Sequence, residues 1–232
     1  MCGRYAEFGP VTVERGARQA LHALDQGLDL EMALNAREPQ YNIAPTDRAP
    51  VLARQRDGSL TVDALRWGLV PAWAKDVKIG VRAINARAES ARDKPMFRAA
   101  FRARRALVPA SGYYEWRSEN GVKQPYFIHA PDDSLLMFAG LWDLWKPRDD
   151  PAAEWLRSFT VLTGAPGRVS GDIHDRQPMV LPPATWATWL DGSADDADAL
   201  LTDVPEAELA FHAVSRAVGS PRNEGPELVQ PI

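Results

Sequence analysis

A single cysteine among 232 residues excludes any intramolecular disulfide, so an oxidising compartment is not needed and a cytoplasmic location is expected. No apolar run approaches the ~18 residues of a membrane span. The opening MCGRYAEF also lacks the apolar stretch of a secretory signal. Histidine is scarce: His22, His129, His174 and His212 are scattered and form no ligand-spaced cluster, so neither metal nor cofactor is expected. Internal repeats, low-complexity tracts and long linkers are absent, which leaves one domain over residues 1–232. Positive charge is in deficit overall, and a net charge of −4 excludes coating of duplex DNA by bulk charge.

That average hides a segregation. Between Lys75 and Arg105 ten basic residues face only Asp76, Glu89 and Asp93, a local charge of +7. From Asp191 to Glu208 there are seven acidic residues and no basic ones. A face that binds a polyanion has this character, and so does a solvated Arg-rich helix.

Periodicity predicts an amphipathic helix over 11–25 and a hairpin around Asp57-Gly58, where glycine supplies the positive φ of a tight turn. A short basic helix is expected over 94–105, leading into a strand at 106–108. Further strands are predicted at 113–117, 125–129, 135–138, 159–162 and 211–214, and helices at 183–190 and 195–201. Short strands with tight connections argue against βαβ crossovers. The fold class is therefore α+β, a single compact domain on a curved, mainly antiparallel sheet or barrel with peripheral helices.

The chemistry begins at Met1-Cys2-Gly3-Arg4. A small residue at position 2 permits removal of Met1, which leaves Cys2 as a 1,2-aminothiol. Reference pKa values of ~7.7–8.0 for the amine and ~8.5 for the thiol make both nucleophiles available near neutrality. An aldehyde reacts with such a pair first as a Schiff base and then, through the thiol, as a thiazolidine ring.

Three segments carry further polar groups. Ile84-Asn85-Ala86-Arg87-Ala88-Glu89-Ser90 joins an amide, a guanidinium and a carboxylate beside the basic run. In Ser111-Gly112-Tyr113-Tyr114-Glu115-Trp116, strand alternation puts Tyr113, Glu115 and Arg117 on one face, a poorly solvated setting suited to an acid/base carboxyl. Asp172-Ile173-His174-Asp175-Arg176-Gln177-Pro178 sets a histidine between two aspartates. Taken singly, each has a structural alternative: Asn85 in a turn, Glu115 paired with an arginine, His174 capping a loop.

Together, MCGR, INAR followed by AES, SGYYEW, DIHDR-P and the late VSRAVG resemble the SOS-response-associated peptidase (SRAP) family of abasic-site processing proteins, over essentially the whole chain. The resemblance implies catalytic roles for Cys2 through amine and thiol, Asn85 in holding the opened sugar, and Glu115 with His174 in proton transfer. It implies phosphate contacts by Arg4, Arg87, Thr163, Arg176, Ser215 and Arg216, and a wedge by Trp67 against a base beside the lesion. The implied partner is single-stranded DNA containing abasic sites, bound by a monomer, and the implied peptidase activity is removal of the residue before Cys2. Tyr5 stands where phenylalanine is also common. Two other readings remain: an N-terminal-nucleophile amidohydrolase, since glutamine amidotransferase domains also begin Met-Cys-Gly, and a DNA-binding module with no chemistry.

Overall fold

The computed structural model describes residues 2–119, 121–150 and 152–232. Twelve strands are found among them: β1 (Tyr5–Glu7), β2 (Gln40–Ile43), β3 (Arg48–Arg54), β4 (Leu60–Trp67), β5 (Asn85–Arg87), β6 (Arg105–Ala110), β7 (Gly112–Glu119), β8 (Val122–His129), β9 (Leu136–Trp145), β10 (Leu156–Gly164), β11 (Gln177–Pro178) and β12 (Ala210–Ala213). Six helices accompany them: α1 (Arg15–Leu24), α2 (Leu30–Asn35), α3 (Ala88–Ala91), α4 (Arg98–Ala103), α5 (Trp186–Asp191) and α6 (Ala194–Asp203).

The strands form two sheets. One runs β12-β8-β7-β1-β2; the other runs β11-β10-β4-β3-β6-β9, with an additional β9–β10 pairing that closes β10, β4, β3, β6 and β9 into a five-stranded barrel. Pairing is mainly antiparallel, but β10 runs parallel to both β4 and β5, so the barrel sheet is mixed. Closure and the covering helices bury both faces of β6 and nearly all of β9, which explains their nearly continuous apolar composition, whereas β4 keeps Asp63, Ala64 and Arg66 outside the core. Val51, Leu65, Val108, Phe138 and Phe159 point into one core, which the second sheet completes with Tyr5, Tyr113 and Ile128. The alternating residues Leu52, Leu107, Ala139 and Leu162 form an outer core covered by α1, α2, α4, α5 and α6. The other face of the second sheet buries Ala6, Tyr114 and Phe127 against the C-terminal Val218 and Leu228. No helix among the described residues is long and apolar enough to cross a membrane.

Three local differences from expectation have physical causes. The first helix starts at Arg15, not at residue 11, because the backbone N–H groups of Val11 and Val13 donate to Asn35 Oδ1 and Glu31 Oε1 on α2, both at 2.7 Å. Those bonds hold residues 11–14 extended. The β3–β4 hairpin closes over five residues rather than two, with Gly58 alone at positive φ (+88°) and Asp57 accepting from Ser59 N at 3.0 Å. The basic helix shrinks to α4, since Arg105 is drawn into the interior by the carbonyls of Phe101, Trp189 and Gly192.

Candidate active site

The N-terminus is brought to the SGYYEW segment by sheet pairing. Tyr5 pairs with Tyr113 across β1 and β7, and Tyr114 N donates to Arg4 O at 3.0 Å. Cys2 consequently lies fully buried in the core shared by barrel and second sheet. Its carbonyl accepts from Asn85 Nδ2 at 2.6 Å. Asn85 is aimed there by β5, which pairs in parallel with β10 (Asn85 opposite Val161), while alternation sends Ala86 into the outer core. The indole Nε1 of Trp67 donates to Ile84 O at 2.8 Å and fixes the residue just before Asn85. Asn85 Oδ1 has no hydrogen-bond partner among the described residues.

Glu115 follows Tyr113 by two residues on the same face of β7 and is 3% exposed. Burial pushes its carboxyl above the ordinary carboxylate range, and nearby positive charge, including His174, opposes this in part. The Cys2 thiol is pushed up by burial first and by the Glu115 charge second. His174 leaves the short turn at Ser170–Asp172, with its amide donating to Ser170 O at 2.9 Å. Its Nδ1 lies 2.7 Å from Asp175 Oδ1 and accepts from Arg176 N at 3.1 Å. Residues from four separate segments converge here: Asn85 bonds Cys2, and Glu115 lies within electrostatic reach of both Cys2 and His174.

The expected DNA contacts divide. Arg87 and Arg216 are exposed. Arg4 is half-buried, with Nη1 donating to Asn42 Oδ1 and Val218 O, both at 2.7 Å, so it ties the N-terminus to the C-terminal segment. Thr163 is fully buried; its hydroxyl accepts from Arg176 Nε at 3.3 Å, so it positions Arg176 and has no surface to offer a phosphate. Arg176 pairs with Glu89 at 2.9 Å. The Ser215 hydroxyl accepts from Ala217 N at 3.2 Å as a turn cap. Trp67 requires correction: it is 0% exposed, stacked with Phe159 and edge-on to Tyr5, so no base can reach it. Trp73, in the loop beside the basic segment, is an exposed indole, 47% accessible, its Nε1 donating to Pro95 O at 3.3 Å; Trp155 is also exposed but lies under Lys146, away from that segment in sequence. The signal of Trp73 was present in the sequence as a tryptophan within a proline- and lysine-containing loop rather than at a strand end.

The basic segment is reduced by folding. Arg92 pairs with Asp195 and Asp198 on α6, Arg104 pairs with Asp143 at 3.0 Å, and Arg105 is buried. Lys75, Lys78, Arg82, Arg87, Lys94, Arg98 and Arg102 remain exposed and make no ion pair among the described residues.

Comparison with known proteins identifies relatives of the whole chain. The chain is 35% identical over 237 residues to the abasic site processing protein YoqW of Bacillus subtilis, covering 99% of each. It is 32% identical over 238 residues to the abasic site processing protein YedK of Escherichia coli, covering all of both. A crystal structure of a protein from Bacteroides thetaiotaomicron superposes with a TM-score of 0.75 over the full length of both chains at 24% identity, a likeness of fold. Residues 1–221 match the family described as SOS response associated peptidase (SRAP), and the chain belongs to that family.

Proposed function

We propose that this protein captures abasic sites in single-stranded DNA by condensing the ring-opened sugar with Cys2 to give a thiazolidine, which shields the lesion from strand cleavage. The observation that carries the reading is the meeting of Cys2 with Asn85, a buried Glu115 and His174. The names of the relatives point to the same substrate.

The residue before Cys2 must first be removed; Met1 lies outside the described residues. The α-amine then attacks the C1′ aldehyde, one water leaves, and an imine forms. The thiol adds to the imine carbon while its proton ends on the ring nitrogen, so the net loss is one water. Glu115 serves as the proton carrier for the thiol, and His174 donates to the sugar oxygen released on ring opening. Asn85 holds Cys2 through Nδ2 and offers Oδ1 to a sugar hydroxyl. Because Cys2 is fully buried, the sugar has to be splayed inward, which favours single-stranded substrate. Trp73 takes the wedge role by stacking, and the exposed lysines and arginines hold phosphates without reading sequence.

The deciding experiment is intact mass after incubation with an abasic oligonucleotide. The expected species is protein lacking Met1 plus oligonucleotide less one water, stable on a denaturing gel. Cys2→Ala keeps the amine and should give only a borohydride-trappable Schiff base. A variant with one uncleavable residue before Cys2 should bind but form no stable adduct. Equal crosslinking by that variant would eliminate the aminothiol mechanism, and ammonia release from glutamine would favour the amidohydrolase instead.

A further inference from the structure

We infer that Tyr113 and Ser170 form a strut that positions His174 against Glu115. The Tyr113 hydroxyl lies 2.6 Å from Ser170 Oγ, with Tyr113 0% and Ser170 1% exposed. A hydroxyl pair within an apolar core gains little from burial itself, since phenylalanine and alanine would fill the same volume without polar atoms to satisfy. What the pair adds is direction.

Ser170 anchors the loop that carries the histidine. Its carbonyl accepts from both Ile173 N and His174 N at 2.9 Å, so displacing Ser170 displaces His174. The loop leaves β10 at Gly164 and rejoins the barrel sheet at Gln177, opposite that same residue. A segment attached at both ends to one strand needs a tie toward β7 to face Glu115, and the Tyr113–Ser170 bond supplies one. Tyr113 and Glu115 are two residues apart on one face of β7, about 6.6 Å along the strand. One strand thus carries both the carboxyl and the tie that holds its partner. The ring of Tyr113 is itself set edge-on to Phe138 at 6.0 Å, so its hydroxyl has little freedom. Neither residue is expected to touch substrate, and both are positioning residues.

The kinetic consequence rests on the covalent reading above; the structural one does not. The test compares wild type with Tyr113→Phe, Ser170→Ala and the double variant, each of which keeps the apolar packing. Single-turnover crosslinking to an abasic strand should slow ~10-fold in each single variant. The double variant should be no slower than the slower single, since all three lose one interaction. The pH midpoint of the rate should rise as Glu115 loses the nearby imidazole. Affinity for a strand bearing a tetrahydrofuran analogue should stay within about twofold. Independently of activity, hydrogen exchange at the Ile173 and His174 amides should quicken ~10-fold in the variants. Unchanged exchange, or slowing that adds fully in the double variant with an unmoved pH midpoint, overturns the strut. If wild type forms no adduct, the proposed function fails and the exchange measurement still decides the strut.

Discussion

Glu7 offers a direct test of how burial sets stability in this fold. It lies on β1 with 2% exposure, and burial raises its carboxyl from 4.5 to about 7, with Arg37 opposing this only in part. The folded protein therefore keeps this proton to higher pH than the unfolded chain does. Stability falls as pH rises from about 4.5 to about 7 and levels off above, the reverse of a salt-bridged carboxylate. At ~1.4 kcal/mol per tenfold change in proton affinity, full ionisation costs at most ~3.5 kcal/mol. Glu7→Gln is neutral at every pH and nearly isosteric. It should stabilise the protein by ~1–3 kcal/mol at pH 8 and by only a few tenths at pH 4.5, measured by urea denaturation at both. Destabilisation at pH 8 would mean that Arg37 holds Glu7 ionised, and an equal gain at both pH values would mean that charge is irrelevant there. Either result refutes the reasoning.

Trp73→Ala should weaken binding to an abasic-analogue strand by ~5–100-fold, as loss of one stacked base implies, with little change in melting temperature. Trp67→Ala should cost ~3–5 kcal/mol of stability through cavity formation; the opposite pattern in anisotropy and thermal melts would restore Trp67 as the wedge. Arg105→Ala should destabilise by ~3 kcal/mol or more in urea, because it strands the carbonyls of Phe101, Trp189 and Gly192. A loss under ~1 kcal/mol would show that water replaces the guanidinium. Reversible binding should weaken with salt at a slope near −0.7 per phosphate contact on single strands, and Arg87→Glu should lower that slope for any sequence. Salt-independent affinity would place the binding surface elsewhere.

Periodicity was enough to locate most strands and the acidic helix, whose capping box spans only the four residues from Ser193 to Asp196. Parallel pairing of β10 with β4 and β5 was not legible, because it joins segments more than 70 residues apart and leaves no local pattern. That pairing is also what aims Asn85 at Cys2. Glu115 in a desolvated setting followed from alternation among aromatics, since β7 is flanked on both sides in its sheet. Trp67 and Trp73 differ in sequence only by their setting, one at the end of an apolar run and the other in a loop with proline and lysine, and that setting does not by itself say which indole is buried. Six residues separate them, and only closure of the barrel determines which indole is enclosed. The charge pattern misled in a similar way. The acidic helix folds back onto Arg92, so part of the +7 segment is neutralised within the protein and the exposed cations are fewer than the sequence suggests.

The electrostatics of the site also bear on the order of events in the proposed reaction. Burial and the Glu115 charge both push the Cys2 thiol up, so in the resting protein it stays protonated and is a poor nucleophile. The α-amine, once exposed, has a reference pKa of ~7.7–8.0 and carries the available lone pair, so it attacks first. The imine it forms becomes cationic on protonation, and a carboxylate that opposes a thiolate stabilises a cation at the same place. That cation in turn lowers the thiol's proton affinity at the moment when the proton must leave, and in the proposed reaction Glu115 is the carboxylate that receives it. The same burial that keeps the thiol inert in the absence of an aldehyde thus makes its activation depend on Schiff-base formation. Glu115→Gln should therefore leave the borohydride-trappable imine largely intact while slowing ring closure by ~10²-fold or more. If imine formation and closure slow equally, the carboxyl acts before the thiol step, and the sequence of amine first and thiol second does not depend on it.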